Sequence, residues 1–303
     1  MKLLNFGSMN IDYVYKVEHF VRKGETISSE YLNVFSGGKG LNQSIALARA
    51  GEEVYHAGAI GNEGEFLLEV LNQAGVDTGC VAVHDEVQTG HAMIQNDSEG
   101  DNCIILFGGA NQRIGKEQVE QVLSGFCAGD FIVLQNEISE LGYIISRAYE
   151  IGMTIVLNPS PMDHKVLELP LNLVDYFLVN EAEAASLAES SDESDEAVLV
   201  KLAAKFPDAK IVMTLGKKGS VYWDGQQIYH QEAVSMEAVD TTAAGDTYTG
   251  YFISGIMREE KIEDVLYRAS VASAIAVTRP GAAPSIPERK EVEETIKNKR
   301  KGR

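Results

Sequence analysis

Short apolar runs alternate with helix-like patterns along most of the chain. The runs have the length of buried strands and lie at 3–6, 54–60, 131–134, 154–157, 176–179 and 211–215. Helical periodicity occupies the segments between them, near 41–50, 63–74, 139–151, 181–188 and 195–205. Such alternation is typical of a mostly parallel central sheet with helices on both faces. We therefore predict an α/β fold in which residues 1–303 form a single domain.

Two segments, at about 11–35 and 88–108, interrupt this alternation. In the first, residues such as Tyr13 and Tyr15 alternate with polar ones, and the second has two strand-like arms around a turn at 96–101. A period of two without helix signals predicts β-strands. We expect the two segments to form a small antiparallel β lid inserted into the α/β body, or a subunit contact if its outer face is apolar. An edge extension of the main sheet is the alternative.

The composition narrows the classes of partner. The net charge is −19 and the isoelectric point is near 4.7, so neither nucleic acid nor an anionic membrane is expected to bind. No segment reaches the roughly 20 apolar residues of a membrane span, and the run at 1–7 is too short for a signal peptide. The three cysteines fit neither a disulfide framework nor a metal spacing. These features predict a cytoplasmic protein.

Several well-known catalytic motifs are absent from the sequence. It contains no G-x-x-x-x-G-K-[ST], which excludes a P-loop enzyme. The motifs G-x-G-x-x-G, G-x-S-x-G and H-E-x-x-H are also missing. Dinucleotide oxidoreductases, serine hydrolases of that type and zinc proteases are therefore not expected.

The segment 240–250 carries the most informative chemical pattern. The small residues Ala243, Ala244 and Gly245 leave backbone amides accessible just before an apolar helical run. A helix N-terminus with free amides attracts anions. Asp246 follows in the first turn, and two interpretations are open: its carboxylate caps the helix, or it accepts a proton from a substrate hydroxyl while the amides stabilise a phosphoryl group in transfer.

A glycine turn precedes another helix at 37–43. Its glycines, Gly38 among them, allow the backbone to approach a ligand closely, and Asn42 offers both a donor and an acceptor. Glycine turns of this kind are also common where nothing binds. The turn is therefore informative only in combination with other features.

Two further turns follow strands of the predicted sheet. Asn180 and Glu183 come directly after the strand at 176–179, at the end where open α/β sheets bind ligands. They fit either a helix N-cap with acidic residues in the first turn or a site for hydrated Mg²⁺. The turn at 214–219 fits either a hairpin or a contact with nucleotide phosphates.

Together these segments resemble the ribokinase/phosphofructokinase-B (PfkB) family of carbohydrate kinases along essentially the whole chain. The matching segments are, in order, 7–12, 24–26, 37–43, 157–161, 180–183, 214–216, 243–247 and 274–287. The resemblance implies a ribokinase-like α/β fold and ATP-dependent phosphorylation of D-ribose at O5, giving D-ribose 5-phosphate. It also implies Mg²⁺ and an activating K⁺ as cofactors, and a homodimer formed through the lid.

The resemblance implies roles for individual positions as well. Asp246 would be the general base, and the amides of Ala243, Ala244 and Gly245 would form the anion hole. The sugar would be surrounded by Asn10, Asp12, Gly38, Lys39, Asn42 and Glu137. ATP would contact Asn180, Thr214, Gly216 and Gly219, with Glu183 helping to hold Mg²⁺. The K⁺ site would comprise Asp240, Thr242, Ala276, Arg279, Gly281 and Ser285.

The residue types on the sugar side bear on the substrate. They are mostly carboxylates and amides, which suit the hydroxyls of a neutral sugar, whereas a phosphorylated sugar favours Arg or Lys. Two alternatives stay open. One is another kinase of the family, acting on 2-deoxyribose, a nucleoside or a ketohexose. The other is a non-catalytic sensor of sugars or nucleotides.

Overall fold

A computed structural model describes residues 1–99, 101–190 and 194–301. Within these ranges the chain forms thirteen strands and nine α-helices. The strands are β1 Leu3–Phe6, β2 Asn10–Lys16, β3 Tyr31–Gly37, β4 Val54–Gly61, β5 Asp77–His84, β6 Gly90–Asn96, β7 Asn102–Phe107, β8 Phe131–Gln135, β9 Thr154–Asn158, β10 Tyr176–Asn180, β11 Lys210–Thr214, β12 Ser220–Trp223 and β13 Ile228–Gln231. The helices are α1 Lys39–Arg49, α2 Glu65–Gln73, α3 Lys116–Leu123, α4 Leu141–Ile151, α5 Glu181–Leu187, α6 Asp195–Lys205, α7 Ala244–Met257, α8 Ile262–Ala276 and α9 Arg289–Lys301.

Nine strands form the main sheet, in the order β13-β12-β11-β10-β9-β8-β1-β4-β5. The seven strands from β11 to β5 pair in parallel, and β12 and β13 add an antiparallel hairpin at one edge. The predicted mostly parallel sheet is confirmed. Of the predicted single domain 1–303, residues 100, 191–193 and 302–303 lie outside the described residues. In the described part of the chain, no helix is both long enough and apolar enough to cross a membrane.

Helices cover both faces of the main sheet, which explains why its strands are apolar throughout. In β8, Phe131 and Val133 join a core formed with α1, α2, α7, α8 and α9. The alternate residues Ile132 and Leu134 join a second core formed with α3, α4, α5 and α6. Because successive side chains of a strand point to opposite faces, each parallel strand contributes to both cores.

The strand order reverses beside β1. The chain passes from β1 to β4 and β5 on one side and then returns to β8 on the other side. Ligands of open α/β sheets bind at such a reversal, outside the carboxyl ends of the strands. The last residues of β9, β10 and β11 are Asn158, Asn180 and Thr214, so these polar side chains share that edge of the sheet.

A separate four-stranded sheet, in the order β3-β2-β6-β7, corresponds to the two segments that interrupt the sequence pattern. Its two outer pairs are antiparallel as predicted, but the central strands β2 and β6 run parallel. The reason is topological: β2 and β6 follow β1 and β5, which leave the main sheet in the same direction. The lid residues with exposed apolar side chains are Tyr31, Leu32, Val34, Phe35, Met93, Ile104, Ile105, Leu106 and Phe107.

Candidate active site

The start of helix α1 packs directly onto the turn that follows β1. Gly38 precedes the helix with a φ of 93°, in the left-handed region that favours glycine. A Cβ on Gly40 would lie 2.4 Å from the backbone nitrogen of Ser8, so the close approach of these two backbones requires a glycine. This contact fixes the positions of Lys39 and Asn42 in the first turn of α1.

The start of helix α7 presents backbone amides to the same region. Ala243 precedes the helix with a φ of 58°, which is uncommon for a residue other than glycine. The first α-helical hydrogen bond runs from Thr247 N to Ala243 O at 2.8 Å. The amides of Gly245 and Asp246 come before that bond and have no acceptor within the helix. This helix end is therefore suited to an anion.

The Asp246 carboxylate contacts α1 rather than capping its own helix, whose start has no side-chain cap. Oδ2 accepts a hydrogen bond from Asn42 Nδ2 at 3.2 Å, and Oδ1 accepts one from Gln43 Nε2 at 3.0 Å. Asp246 is only 7% exposed. Asn42 Oδ1 is buried and has no partner among the described residues, so it remains available to a ligand hydroxyl.

The ammonium group of Lys39 lies among three carboxylates. Burial lowers the pKa of Lys39, but the negative charges of Asp246, Glu137 and Glu183 act in the opposite direction and raise it overall. Lys39 is therefore held in its charged form. Because these carboxylates belong to the predicted base, sugar and Mg²⁺ sets, the lysine links the three predicted groups.

Two carboxylates, Asp12 and Glu137, lie close to each other on the lid side. Burial, and then the charge of Glu137, raises the pKa of Asp12 from 3.8 to about 7. The Asp12 carboxylate lies against Gly37, where a Cβ would come within 2.1 Å of Oδ2. Glu137 Oε2 accepts hydrogen bonds from the hydroxyl of Ser8 and, at 3.0 Å, from the amide of Lys39.

Asn10 is buried at the start of β2, and a residue that the sequence patterns did not single out holds its side chain. Asn10 Oδ1 accepts a hydrogen bond from Asn111 Nδ2 at 2.8 Å. Asn111 Oδ1 in turn accepts from the amide of Met9 at 3.1 Å. Asn111 therefore connects the region after β7 to the turn between β1 and β2.

A cleft of about 210 Å³ lies between the carboxyl edge of the sheet and the start of α7. Its walls include most of the predicted base, anion-hole and nucleotide residues. They are Lys39, Asn158, Ser160, Leu178, Val179, Asn180, Glu183, Thr214, Thr241, Ala243, Ala244, Gly245, Asp246, Tyr248 and Thr249. The predicted sugar residues other than Lys39 are not among these lining residues.

Asn180 and Glu183 form a reciprocal cap at the start of α5. Asn180 Oδ1 accepts from the Glu183 amide at 2.9 Å, and Glu183 Oε2 accepts from the Asn180 amide at 3.0 Å. The N-cap interpretation of the sequence is therefore confirmed. The second carboxylate oxygen of Glu183 is not used by the cap, and Glu183 also lines the cleft.

The turn after β11 has a structural explanation for one of its glycines. Gly219 has a φ of 105°, and a Cβ there would lie 2.0 Å from the carbonyl oxygen of Gln231 in β13. Gly216 has a φ of 51° and is exposed. Apart from its chain neighbours, no atom lies within 4 Å of the position that a Cβ would occupy there. Thr214 lines the cleft, whereas the two glycines are not among the lining residues.

The Asp240 carboxylate joins two loops that, by the family resemblance, are expected to hold K⁺. Oδ1 accepts from Thr242 N at 2.9 Å and Oγ1 at 2.6 Å, and Oδ2 accepts from Gly281 N at 2.8 Å. Burial raises the pKa of Asp240, but the hydrogen bonds from Thr242 and Gly281 outweigh it and lower the pKa overall. The charged carboxylate therefore stands where the two loops meet.

Of the other three positions predicted for K⁺, Ala276 is the last residue of α8, and Arg279 and Ser285 lie in the segment that follows this helix. Ala276 O accepts from the Arg279 amide at 3.2 Å, and the Arg279 guanidinium pairs with Glu291. Ser285 is buried and its hydroxyl donates to Ala282 O at 2.8 Å. The side chain of Arg279 therefore points to α9, so any cation contact there would use its backbone oxygen.

Sequence reasoning missed several buried amides behind Asp246. Gln43 Nε2 also donates to Asn158 Oδ1 at 3.2 Å, and Gln43 Oε1 accepts from Gln135 Nε2 at 2.7 Å. Gln135 Nε2 also donates to Asn5 Oδ1 at 3.0 Å. A signal was present in the sequence, because Asn5 interrupts one apolar strand and Gln135 ends another. A polar side chain in a strand with both faces buried needs a hydrogen-bond partner.

Comparisons with known proteins give a consistent result. The model of the "pfkB family carbohydrate kinase" matches residues 1–289. A ribokinase of Staphylococcus aureus (strain COL) is 36% identical over 305 aligned positions, covering 96% of this chain and 98% of the relative. Two solved structures superpose with a TM-score of 0.85: a ribokinase of Cryptococcus neoformans in complex with ADP, and a ribokinase of Arabidopsis thaliana complexed with ribose and ATP.

The sequence identities to these two structures are 32% and 28%, respectively. The first alignment covers 97% of this chain and 99% of the Cryptococcus protein, and the second covers 97% of both chains. The fold class and the family expected from the sequence are thus confirmed. With a family match over nearly the whole length and relatives above 30% identity, this chain belongs to the pfkB family of carbohydrate kinases.

Proposed function

We propose that this protein transfers the γ-phosphoryl group of ATP to O5 of D-ribose, with Asp246 as the general base. The observation that carries the proposal is the position of the Asp246 carboxylate, which is buried beside the amides at the start of α7 and lines a cleft with Lys39. The ligands bound to the related ribokinases support the same reaction: ADP in the Cryptococcus protein, and ribose with ATP in the Arabidopsis protein.

The chemistry is a direct displacement at phosphorus. Asp246 accepts the proton of the O5 hydroxyl while O5 forms a bond to the γ-phosphorus and the bond from that phosphorus to the ADP oxygen breaks. The products are D-ribose 5-phosphate, ADP and a proton. The anion hole of Ala243, Ala244 and Gly245 stabilises the phosphoryl oxygens, chiefly through the Gly245 amide, because the Ala244 amide already donates to Thr241 O at 3.3 Å. The positive charge of Lys39 acts in the same direction.

The sugar-binding role of the lid side follows from its residue types. Asn10, Asp12, Asn42 and Glu137 carry amides and carboxylates, which can donate to and accept from several hydroxyls. The unpartnered Oδ1 of Asn42 is an acceptor that such a hydroxyl would satisfy. Gly38 lets the backbone at the start of α1 approach the sugar closely.

Two cations fit the residues present. Mg²⁺ retains most of its water and needs few protein carboxylates, so Glu183, with Asn180 beside it, would be enough to hold it. Within the described ranges, no three His, Cys, Asp or Glu side chains are grouped so that they could hold a metal ion. K⁺ would be held by the charged Asp240 and by Thr242, Ala276, Arg279, Gly281 and Ser285, several of them through backbone oxygens. Both ions offset phosphate charge, while Thr214, Gly216 and Gly219 contact the nucleotide.

The lid is proposed to form a homodimer. Its exposed apolar side chains occur at consecutive positions from Ile104 to Phe107, so they point to both faces of the sheet. Exposed apolar patches of this extent are typical of protein contacts. The proposed setting is the cytoplasm, where ATP is available.

The decisive experiment is steady-state kinetics of Asp246→Asn with ATP and D-ribose. General-base assistance is worth roughly 10²–10⁴-fold, so kcat should fall by that factor while the KM for ribose changes little. Asp208→Asn, an exposed carboxylate at the amino end of β11, is the matched control and should leave kcat unchanged. Near-normal turnover of Asp246→Asn would refute the base assignment.

The substrate is tested by ADP release with a panel of acceptors. D-ribose should give the highest kcat/KM among ribose, 2-deoxyribose, adenosine, fructose and fructose 6-phosphate. A higher value for any competitor would displace ribose as the substrate. Ribose binding without any turnover in the wild-type protein would instead support the sensor alternative.

A further inference from the structure

We propose that Asn5, Gln135 and Gln43 form a chain of side-chain amides with one fixed hydrogen-bond direction, and that this chain orients the Asp246 carboxylate. The inference rests on the proposed function, because it treats Asp246 as the base. It assigns Gln43 as a positioning residue and Gln135 as a residue that acts through Gln43. The three amides come from α1, β8 and β1, which meet at the reversal of the strand order.

The direction of the chain is set at its far end by a backbone group. Asn5 Nδ2 donates to the carbonyl oxygen of Gly40 at 2.7 Å and to Ser44 Oγ at 2.8 Å. A carbonyl oxygen can only accept, so the amino group of Asn5 must face Gly40. The Oδ1 atom of Asn5 therefore faces the other way, towards Gln135.

Each following amide inherits its orientation from the one before. Because Asn5 presents an oxygen, Gln135 must present its Nε2 atom, which donates at 3.0 Å. The second hydrogen on that nitrogen goes to Gln43 Oε1 at 2.7 Å. Gln43 consequently turns its Nε2 atom towards Asp246 Oδ1, at 3.0 Å.

A second backbone carbonyl group, that of Leu178, independently fixes the orientation of the Gln43 amide. Asn158 Nδ2 donates to the carbonyl oxygen of Leu178 at 2.8 Å, so Asn158 Oδ1 is the atom that faces Gln43. The Nε2 atom of Gln43 donates to that oxygen at 3.2 Å. With an oxygen on Asn158 and a carboxylate on Asp246, a reversed Gln43 amide would place three oxygens together.

Because these amides are buried, reversing any one of them would be costly in energy. Asn5, Gln43 and Gln135 are all fully buried, and Asp246 is nearly so. In surroundings of low polarity, a hydrogen bond to a charged group is strong and an unpaired or repelled polar group is costly. The chain therefore restricts the carboxylate to one orientation before substrate binds, which is what a general base requires.

The test is a double-mutant cycle on kcat with Gln43→Met, Gln135→Met and the double variant, assayed with ATP and D-ribose. A hydrogen bond to a charged group is worth about 1.5–3 kcal/mol, so kcat of Gln43→Met should fall roughly 10- to 100-fold. Gln135→Met should also lower kcat. The double variant should be no slower than Gln43→Met, because Gln135 acts only through Gln43. The KM for ribose should stay within about twofold in all three variants, since none of these side chains is assigned to the sugar.

Three outcomes would overturn the inference: kcat of Gln43→Met within twofold of wild type, kcat losses that multiply in the double variant, or a rise in ribose KM that accounts for the whole effect. Gln118→Met is the matched control, because Gln118 Nε2 donates to Gly58 O at 2.8 Å without joining the chain. Its kcat should be normal. If Gln135→Met does not fold, Gln135→Glu replaces it in the cycle: nearly the same size, it presents acceptors to Gln43 and should lower kcat in the wild-type background but not in Gln43→Met.

Asp246→Asn in the same assay distinguishes a failure of the base assignment from a failure of the positioning chain. If Asp246→Asn keeps near-normal turnover, the base assignment fails and the chain has no catalytic carboxylate to orient. If Asp246→Asn loses turnover while Gln43→Met and Gln135→Met retain it, the proposed function stands and the positioning chain is wrong.

Discussion

The backbone amide of Lys39 donates a hydrogen bond of 3.0 Å to Oε2 of Glu137, so the first residue of α1 is attached to the loop that follows β8. A carboxylate at this helix start also complements the helix dipole. The same lysine carries its ammonium group to the region of Asp246 and Glu183. One residue therefore contacts the proposed sugar site through its backbone and faces the proposed phosphoryl site through its charge.

Lys39→Met tests the second of these contributions. The variant keeps the backbone bond to Glu137 but removes a positive charge beside the proposed site of phosphoryl transfer. Charge stabilisation of this kind is worth roughly 10²–10³-fold when one donor is lost, so kcat/KM for ATP should fall by about that factor. The kcat/KM for ATP is measured by stopped assays of ADP release over a range of ATP concentrations.

The matched control for Lys39→Met is Lys297→Met, which changes an exposed lysine of α9. This control should leave both kinetic constants unchanged. A Lys39→Met enzyme with wild-type kcat/KM for ATP would contradict the assigned role, and a loss that appears equally in Lys297→Met would point to a general effect of net charge.

Asp12 should make the stability of the protein depend on pH. Its pKa is about 7 in the folded protein against 3.8 ordinarily, so between these values the folded state holds a proton that the unfolded state has released. This contribution to stability is complete below pH 4 and is lost as the pH rises through 7. Asp12→Asn removes the titration, so its Tm relative to wild type should increase from pH 4 to pH 8.

Glu137→Gln serves as the second variant in this experiment. The charge of Glu137 is part of what raises the pKa of Asp12, so in Glu137→Gln the loss of stability should occur over a narrower pH range. Calorimetric scans at several pH values measure the Tm of the wild type, of Asp12→Asn and of Glu137→Gln. A Tm difference between Asp12→Asn and wild type that stays constant from pH 4 to pH 8 would contradict the prediction.

The sequence predicts strands and helices well where apolar runs or helical periodicity are clear. All six apolar runs became strands and all five periodic segments became helices, within two residues of the expected bounds. Helix α8 was missed, and so was α3, whose apolar side faces the core while much of it is exposed. Strands β12 and β13 were missed because each has only four residues, too few for a clear periodic pattern, and β5 was missed because much of it is exposed.

For the candidate site, the sequence could identify chemistry next to glycine turns but not the contacts between distant segments. Asn42 and Asp246 were predicted from local patterns and Lys39 from the family resemblance, and the three residues do lie together. The pairing of Gln43 with Gln135 joins residues 92 positions apart, and nothing in the local sequence specifies it. Nor does local sequence reveal that Gly219 is required by the approach of β13.

A monovalent cation should activate the enzyme through the loops joined by Asp240. Activity should be higher in K⁺ than in tetramethylammonium, which is too large to enter a site of backbone oxygens and one carboxylate. Asp240→Asn removes the negative charge and weakens the bonds to Thr242 and Gly281, so its activity should be low in both salts. Initial rates at constant ionic strength test this, and equal wild-type activity in the two salts would refute it.

The lid should hold two copies of the chain together. Ile105 in β7 is 61% exposed, in a sheet whose neighbouring side chains are also apolar and exposed. A lysine there would have to leave water if the lid forms an interface, so Ile105→Lys should sediment as a monomer at concentrations where the wild type is a dimer. Val200→Lys on α6 is the matched control, because Val200 is 60% exposed but lies outside the lid, and this variant should remain dimeric. If the wild type is a monomer, or if Ile105→Lys and Val200→Lys are both dimers, the contact does not form through this face.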